Sequence, residues 1–101
     1  MQKLVNEFTN KYKLQTDINT RYIDLVSEIG ELGKEIIKST DYGKKNFTPT
    51  GQLIDEVGDC VFSMLALCSQ LNIDAQEALL KSLTKYEHRF DNKGHISSDE
   101  I

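Results

Sequence analysis

Residues 51–71 constrain the fold more than any other part of the chain. They hold Leu53, Ile54, Val57, Cys60, Val61, Phe62, Met64, Leu65, Leu67 and Cys68, with no proline among them. At about 100° per residue these side chains point to more than one side of a helix. A helix that is apolar on several sides belongs at the centre of a structure, covered by neighbours in the chain or by a second subunit. A membrane span is excluded, because the longest apolar stretch, 60–68, is too short to cross a bilayer and contains Ser63.

The rest of the chain supplies helices to surround it. Residues 1–12 carry Leu4, Val5, Phe8 and Tyr12 at a helical beat. Residues 13–16 read as a connection, and Thr16 or Asp17 can cap a second helix that runs to about Lys38. Its apolar face is Ile18, Tyr22, Leu25, Ile29, Leu32 and Ile36, widened by Val26 and Ile37. The stretch 39–50 is the clear break, punctuated by Asp41, Gly43, Asn46 and Pro49 and made basic by Lys44 and Lys45. Thr50 can cap the third helix. Asn72, Ile73 and Asp74 make a tight turn, with Asp74 and Glu77 spaced as a capping box. A fourth helix follows over 75–90, with Ala78, Leu79, Leu83, Tyr86 and Phe90 inward. No β-hairpin signal, internal repeat or low-complexity segment is visible. The expectation is an all-α fold, a four-helix bundle completed by oligomerisation, in one domain over 1–95 with a polar flexible tail over 96–101.

The formal net charge of −4 argues against broad binding to nucleic-acid polymers. It does not argue against a phosphate-bearing ligand, since a bound metal reverses the local sign. Cys60 and Cys68 lie about 12 Å apart along one helix, too far for a bridge, and read as small hydrophobes in a reducing compartment. The mixed, polar residues 1–7 carry no secretory signal, so the expected location is cytoplasmic.

Two short acidic patterns carry the chemistry. Glu28 and Glu31 stand three apart on the second helix, and Glu56 and Asp59 stand three apart on the third. Such spacing puts each pair on one helix face. Asp24 and Glu35 share the sector of the first pair, while Gln52 and Ser63 share that of the second. Both acidic stripes adjoin apolar faces, so packing leaves them half buried. Like charges held that way repel, and a cation removes the cost. Carboxylates with no His or Cys partner suit Mg²⁺ or Mn²⁺ better than zinc. The alternative is a solvated face, with Lys34 paired to Glu31 and Lys38 to Glu35. Gly30, Gly33 and Gly58 lie beside the acids, where each costs roughly 1 kcal/mol relative to alanine, and point to close helix approach or a ligand against the backbone.

On the fourth helix Lys81, Lys85 and Arg89 recur every four residues, a row that can hold phosphates. Arg89 is favoured by its fork geometry, and a solubilising face is the alternative. His88 reads as a surface residue, and neither it nor His95 has metal-ligand spacing.

These patterns resemble the MazG-like family of all-α nucleoside triphosphate pyrophosphohydrolases. The resemblance rests on Ser-Glu-Ile-Gly-Glu-Leu-Gly-Lys-Glu-Ile over 27–36, Asp-Glu-Val-Gly-Asp-Cys-Val-Phe-Ser-Met-Leu-Ala-Leu over 55–67, and Lys-Tyr-Glu-His-Arg-Phe over 85–90. It covers roughly 20–95. Ser27 and Tyr86 stand where many members have glutamate and asparagine. By matching positions, the resemblance implies that Glu28, Glu31, Glu56 and Asp59 ligate Mg²⁺, with Mn²⁺ as a substitute, and are the catalytic residues. It implies attack of water on the α-phosphorus of a nucleoside triphosphate, release of a nucleoside monophosphate and pyrophosphate, and clearance of unwanted nucleotides. Lys85 and Arg89 are candidates for substrate binding, followed by Lys34 and Lys81. A homodimer or homotetramer is expected. A phosphoribosyl-ATP pyrophosphohydrolase and a non-catalytic helical interaction module are the alternatives.

Overall fold

A computed structural model describes residues 1–98. Four helices follow in order: α1 (Gln2–Lys11), α2 (Ile18–Lys38), α3 (Leu53–Gln70) and α4 (Ala75–Lys93). Among the described residues there is no strand. The all-α, four-helix class is therefore the observed one, and no helix is long and apolar enough to cross a membrane.

Local chemistry explains most of the boundaries. Asp17 caps α2 by accepting a hydrogen bond from the Thr20 backbone N–H at 2.7 Å. That bond, together with one from the Thr20 hydroxyl, holds the Asp17 carboxyl below its usual value. Asp74 caps α4 in the same way through the Glu77 N–H at 2.9 Å. Asn72 closes the turn after α3 with φ of 57°, a left-handed position that asparagine tolerates. Two boundaries differ from the sequence reading. α4 runs past Phe90 to Lys93 and stops at Gly94, whose φ of 76° suits glycine. At α3 the N-cap position is Gln52 and makes no side-chain cap, so Thr50 does not play that role. Its hydroxyl donates instead to the Glu35 carboxylate.

α3 is the central helix, packed along α2 and, less extensively, against α1. Leu65, Ala66, Leu67 and Cys68 form the buried core. Phe8 of α1 meets Phe62 of α3 edge to face, with ring centroids 6.0 Å apart. Cys68 is buried as expected, whereas Cys60 is only half buried. The loop after α2 folds back on Ser39. That residue is 1% exposed, its hydroxyl donates to the Glu35 carbonyl at 2.8 Å, and its own carbonyl accepts from the Thr48 N–H at 2.8 Å.

α4 departs most from the sequence reading. Its start is tied to α1, where the Ala75 N–H donates to the Gln2 side chain at 2.7 Å. Beyond that it buries none of its residues. Leu79, Leu83 and Phe90, expected to point inward, are exposed, Leu83 by 50% and Phe90 by 59%. The radius of gyration is 16.9 Å, against about 13 Å for a compact domain of this length. Ile54, at 78% exposed, shows that α3 too keeps an uncovered apolar side. The polar tail expected over 96–101 lies partly outside the described residues, in 99–101.

Candidate metal centre

α2 and α3 run antiparallel side by side, and their polar residues meet in a row. On α2 the row is Arg21, Glu28 and Glu35, and on α3 it is Glu56, Ser63 and Gln70, each spaced by seven. Seven residues are close to two helical turns, so each set stays on one face with about 10 Å between stations. At one end the Arg21 Nε donates to the Gln70 side-chain oxygen at 2.8 Å. At the other, Glu35 accepts from Thr50.

Between those two contacts the acids of the two helices gather. Glu28, Glu56 and Asp59 each bring a carboxylate oxygen to within 4.8 Å of the others. Glu28 and Glu56 are half buried and Asp59 is exposed. The Glu56 carboxyl is raised above its ordinary value, first by lost hydration and then by the charges of Asp59, Glu31, Glu28 and Glu35. Burial and the carboxylates of Glu28, Glu56 and Asp59 also raise the Cys60 thiol. Cys60 is not among the converging groups, which all offer oxygen. Ligand oxygens at opposite corners of a Mg²⁺ octahedron lie about 4.2 Å apart. The three carboxylates, each with an oxygen within 4.8 Å of the others, are near enough together to share one ion. The residues fit a hard divalent cation.

The predicted site residues fall into three groups. Glu28, Glu56 and Asp59 come together. Glu31 lies outside that triple and is exposed, yet its charge is felt at Glu56. Lys34 is exposed on α2, and Lys81, Lys85 and Arg89 ride on α4, which does not pack along the acidic helices in this chain. Arg89 donates to the Ile96 carbonyl at 3.2 Å, and the Lys85 ammonium lies 5.3 Å from the Tyr86 ring. Asp24 is exposed, and Glu35 is buried against Thr50 instead of pairing with Lys38 in solvent. Gly30, Gly33 and Gly58 do not mark close approach, since a Cβ built on any of them meets nothing within 4 Å. His88 is on the surface, within hydrogen-bond reach of Asn92. Sequence reading missed Arg21, although its seven-residue spacing from Glu28 was there to be found.

The acidic cluster predicts a specific pH effect. A raised carboxyl destabilises the fold once it ionises. For Glu56 the cost begins as pH rises through the ordinary value of 4.5 and is complete above the raised value. In EDTA at pH 7, Glu56→Gln should therefore melt above the wild type, and at pH 4 the difference should vanish. Thermal unfolding at the two pH values checks this, and a variant that melts lower at pH 7 would contradict it.

The sequence profile of the MazG nucleotide pyrophosphohydrolase domain matches residues 17–93, which spans α2, α3 and α4. No curated protein and no solved structure gave a match. The two acidic helices and the helix that follows them thus carry the mark of a single family, and the chain belongs to the MazG nucleotide pyrophosphohydrolase domain family.

Proposed function

We propose that the chain is a Mg²⁺-dependent nucleoside triphosphate pyrophosphohydrolase that clears nucleotides from the cell. The observation that carries this reading is the carboxylate triple of Glu28, Glu56 and Asp59, drawn from two helices inside the family match. Glu28, Glu56 and Asp59 would hold the cation, with Glu31 as a fourth ligand one turn from Glu28. Bound there, the cation would supply neutralising charge for the phosphates and acidify a water. The acids confine negative charge that only a cationic or cation-bearing ligand relieves, which selects a metal-bound phosphate chain over a free one. The reaction is attack of water on the α-phosphorus, with departure of pyrophosphate and formation of the monophosphate.

The basic row has a place in this reading only if a second copy supplies it. Lys81, Lys85 and Arg89 stand on a helix whose apolar residues have no cover in their own chain. Pairing two copies through α4 and the open side of α3 would bury Leu79, Leu83 and Ile54. It would also bring cationic side chains towards a neighbour's acids. A homodimer or homotetramer is the assembly proposed.

A panel of nucleoside triphosphates incubated with Mg²⁺ should release pyrophosphate and the monophosphate. Glu56→Gln should lower kcat/KM by about 100-fold or more, since even outer-shell partners of a metal cost 10–100-fold. Release of orthophosphate without pyrophosphate would contradict the assignment. For the assembly, light scattering of the wild type should give a multiple of 11.5 kDa. Leu83→Glu should reduce it to one chain, and a single-chain mass for the wild type would contradict the pairing.

A further inference from the structure

A second polar cavity lies at the other end of the α2–α3 row. It measures about 270 Å³ and is lined by Asn6, Asn10, Gln15, Arg21, Ser69 and Gln70, among others. Arg21 is 7% exposed. Its two partners are neutral: the Gln70 side-chain oxygen on Nε and the Leu14 carbonyl on Nη2. A guanidinium carries five N–H donors and is always charged in proteins. Two bonds to neutral oxygens leave most of that capacity, and the whole charge, unanswered.

The neighbouring amides are arranged in the same sense. The Asn6 Oδ1 accepts from the Ser69 hydroxyl, and the Asn10 Oδ1 accepts from the Gln15 amide. The Gln70 oxygen is taken by Arg21, and its amide nitrogen donates to the Thr16 carbonyl. The side-chain oxygens of Asn6, Asn10 and Gln70 are thus engaged within the protein, and that of Gln15 is the acceptor left over. The Nδ2 groups of Asn6 and Asn10 and the Arg21 Nη1 make no bond among the described residues. The cavity offers donors and positive charge, although the chain as a whole is at −4.

We propose that this cavity binds a small oxyanion, a phosphoryl or carboxylate group held by Arg21 with Asn6 and Asn10. Charge-assisted bonds from a buried arginine to an oxyanion are among the strongest polar contacts available, and a guanidinium meets such groups two-pronged. The site is separate from the acidic cluster. Arg21 stands seven residues, about 10 Å, from Glu28. Asn6, Asn10 and Gln15 lie before residue 17, outside the segment that matches the family. Because the lining comes from α1, α2 and α3, an anion there clamps α1 to the central pair.

The test is thermal unfolding in EDTA, which removes divalent cations from the acidic cluster. Inorganic phosphate and succinate are titrated in separate arms against sodium chloride of equal ionic strength. The wild type should show a saturable rise, about 7 °C at tenfold excess over the dissociation constant, with at least one of the two anions and not with chloride. The arm that responds distinguishes phosphoryl from carboxylate recognition. Arg21→Met should lose the response. Asn10→Asp, at an exposed position that tolerates substitution, should lose it too, because it puts a carboxylate against the anion. If Arg21→Met fails to fold, the Asn10→Asp comparison decides. A rise equal to that in chloride, or one that Asn10→Asp retains in full, would overturn the proposal.

Discussion

Two antiparallel helices meet along a polar row, and the rest of the structure is arranged by how that row is satisfied. Arg21, Glu28 and Glu35 on α2, and Glu56, Ser63 and Gln70 on α3, recur at the same seven-residue interval. Polar groups at a helix interface cost free energy unless each finds a partner. The ends of the row meet that demand within the chain. Arg21 bonds to Gln70 and the Leu14 carbonyl, while Glu35 takes the Thr50 hydroxyl. Those end contacts also fix the register of the two helices, and with it the spacing of the acids between them. The acids between those contacts are left unsatisfied: three carboxylates converge, and Glu56 and Cys60 are both pushed towards their protonated forms. Like charges held together in this way repel, and a cation between them would remove that cost.

The same packing explains what the single chain leaves open. α3 is covered by α2 and by part of α1, which is enough to bury 65–68 but not Ile54, Val57 or Met64. α4 leaves the body after its first turn and exposes a continuous apolar side. Large exposed apolar faces on a small helical domain are surfaces for association. Charge follows the same logic. The acids sit on the α2–α3 pair and Lys81, Lys85 and Arg89 sit on α4, so in the proposed assembly a neighbouring copy would bring the two together. The Arg21 cavity differs in being assembled from one chain.

Much of this was legible in the residues. The helical beat and the caps at Asp17 and Asp74 are local, and local rules locate them. The acids could be read because their three-residue spacing coincides with the edge of an apolar face on each helix. Thr50 was misread because a threonine before a helix satisfies the capping rule, and only the tertiary position of Glu35 draws its hydroxyl away. Glu35 itself looked like one more surface acid beside Lys38. The inward face expected for α4 is exposed in this chain, because a periodicity does not encode what such a face packs against. Arg21 drew no attention because one arginine on an amphipathic helix carries no signal until Gln70, 49 residues away, closes on it. The glycines do not mark close helix approach within the chain, since their backbone is open and no neighbour needs the missing Cβ.

The central claim is that the carboxylates between α2 and α3 form a divalent-cation site. Direct titration with Mn²⁺, followed by the loss of the free ion's electron paramagnetic resonance signal, tests it most plainly. The wild type should bind Mn²⁺ saturably and release it to excess Mg²⁺, and Asp59→Asn should weaken binding by at least about 10-fold, the lower bound for disturbing a metal's surroundings. Equal binding by the two proteins, or none by the wild type, would contradict the account.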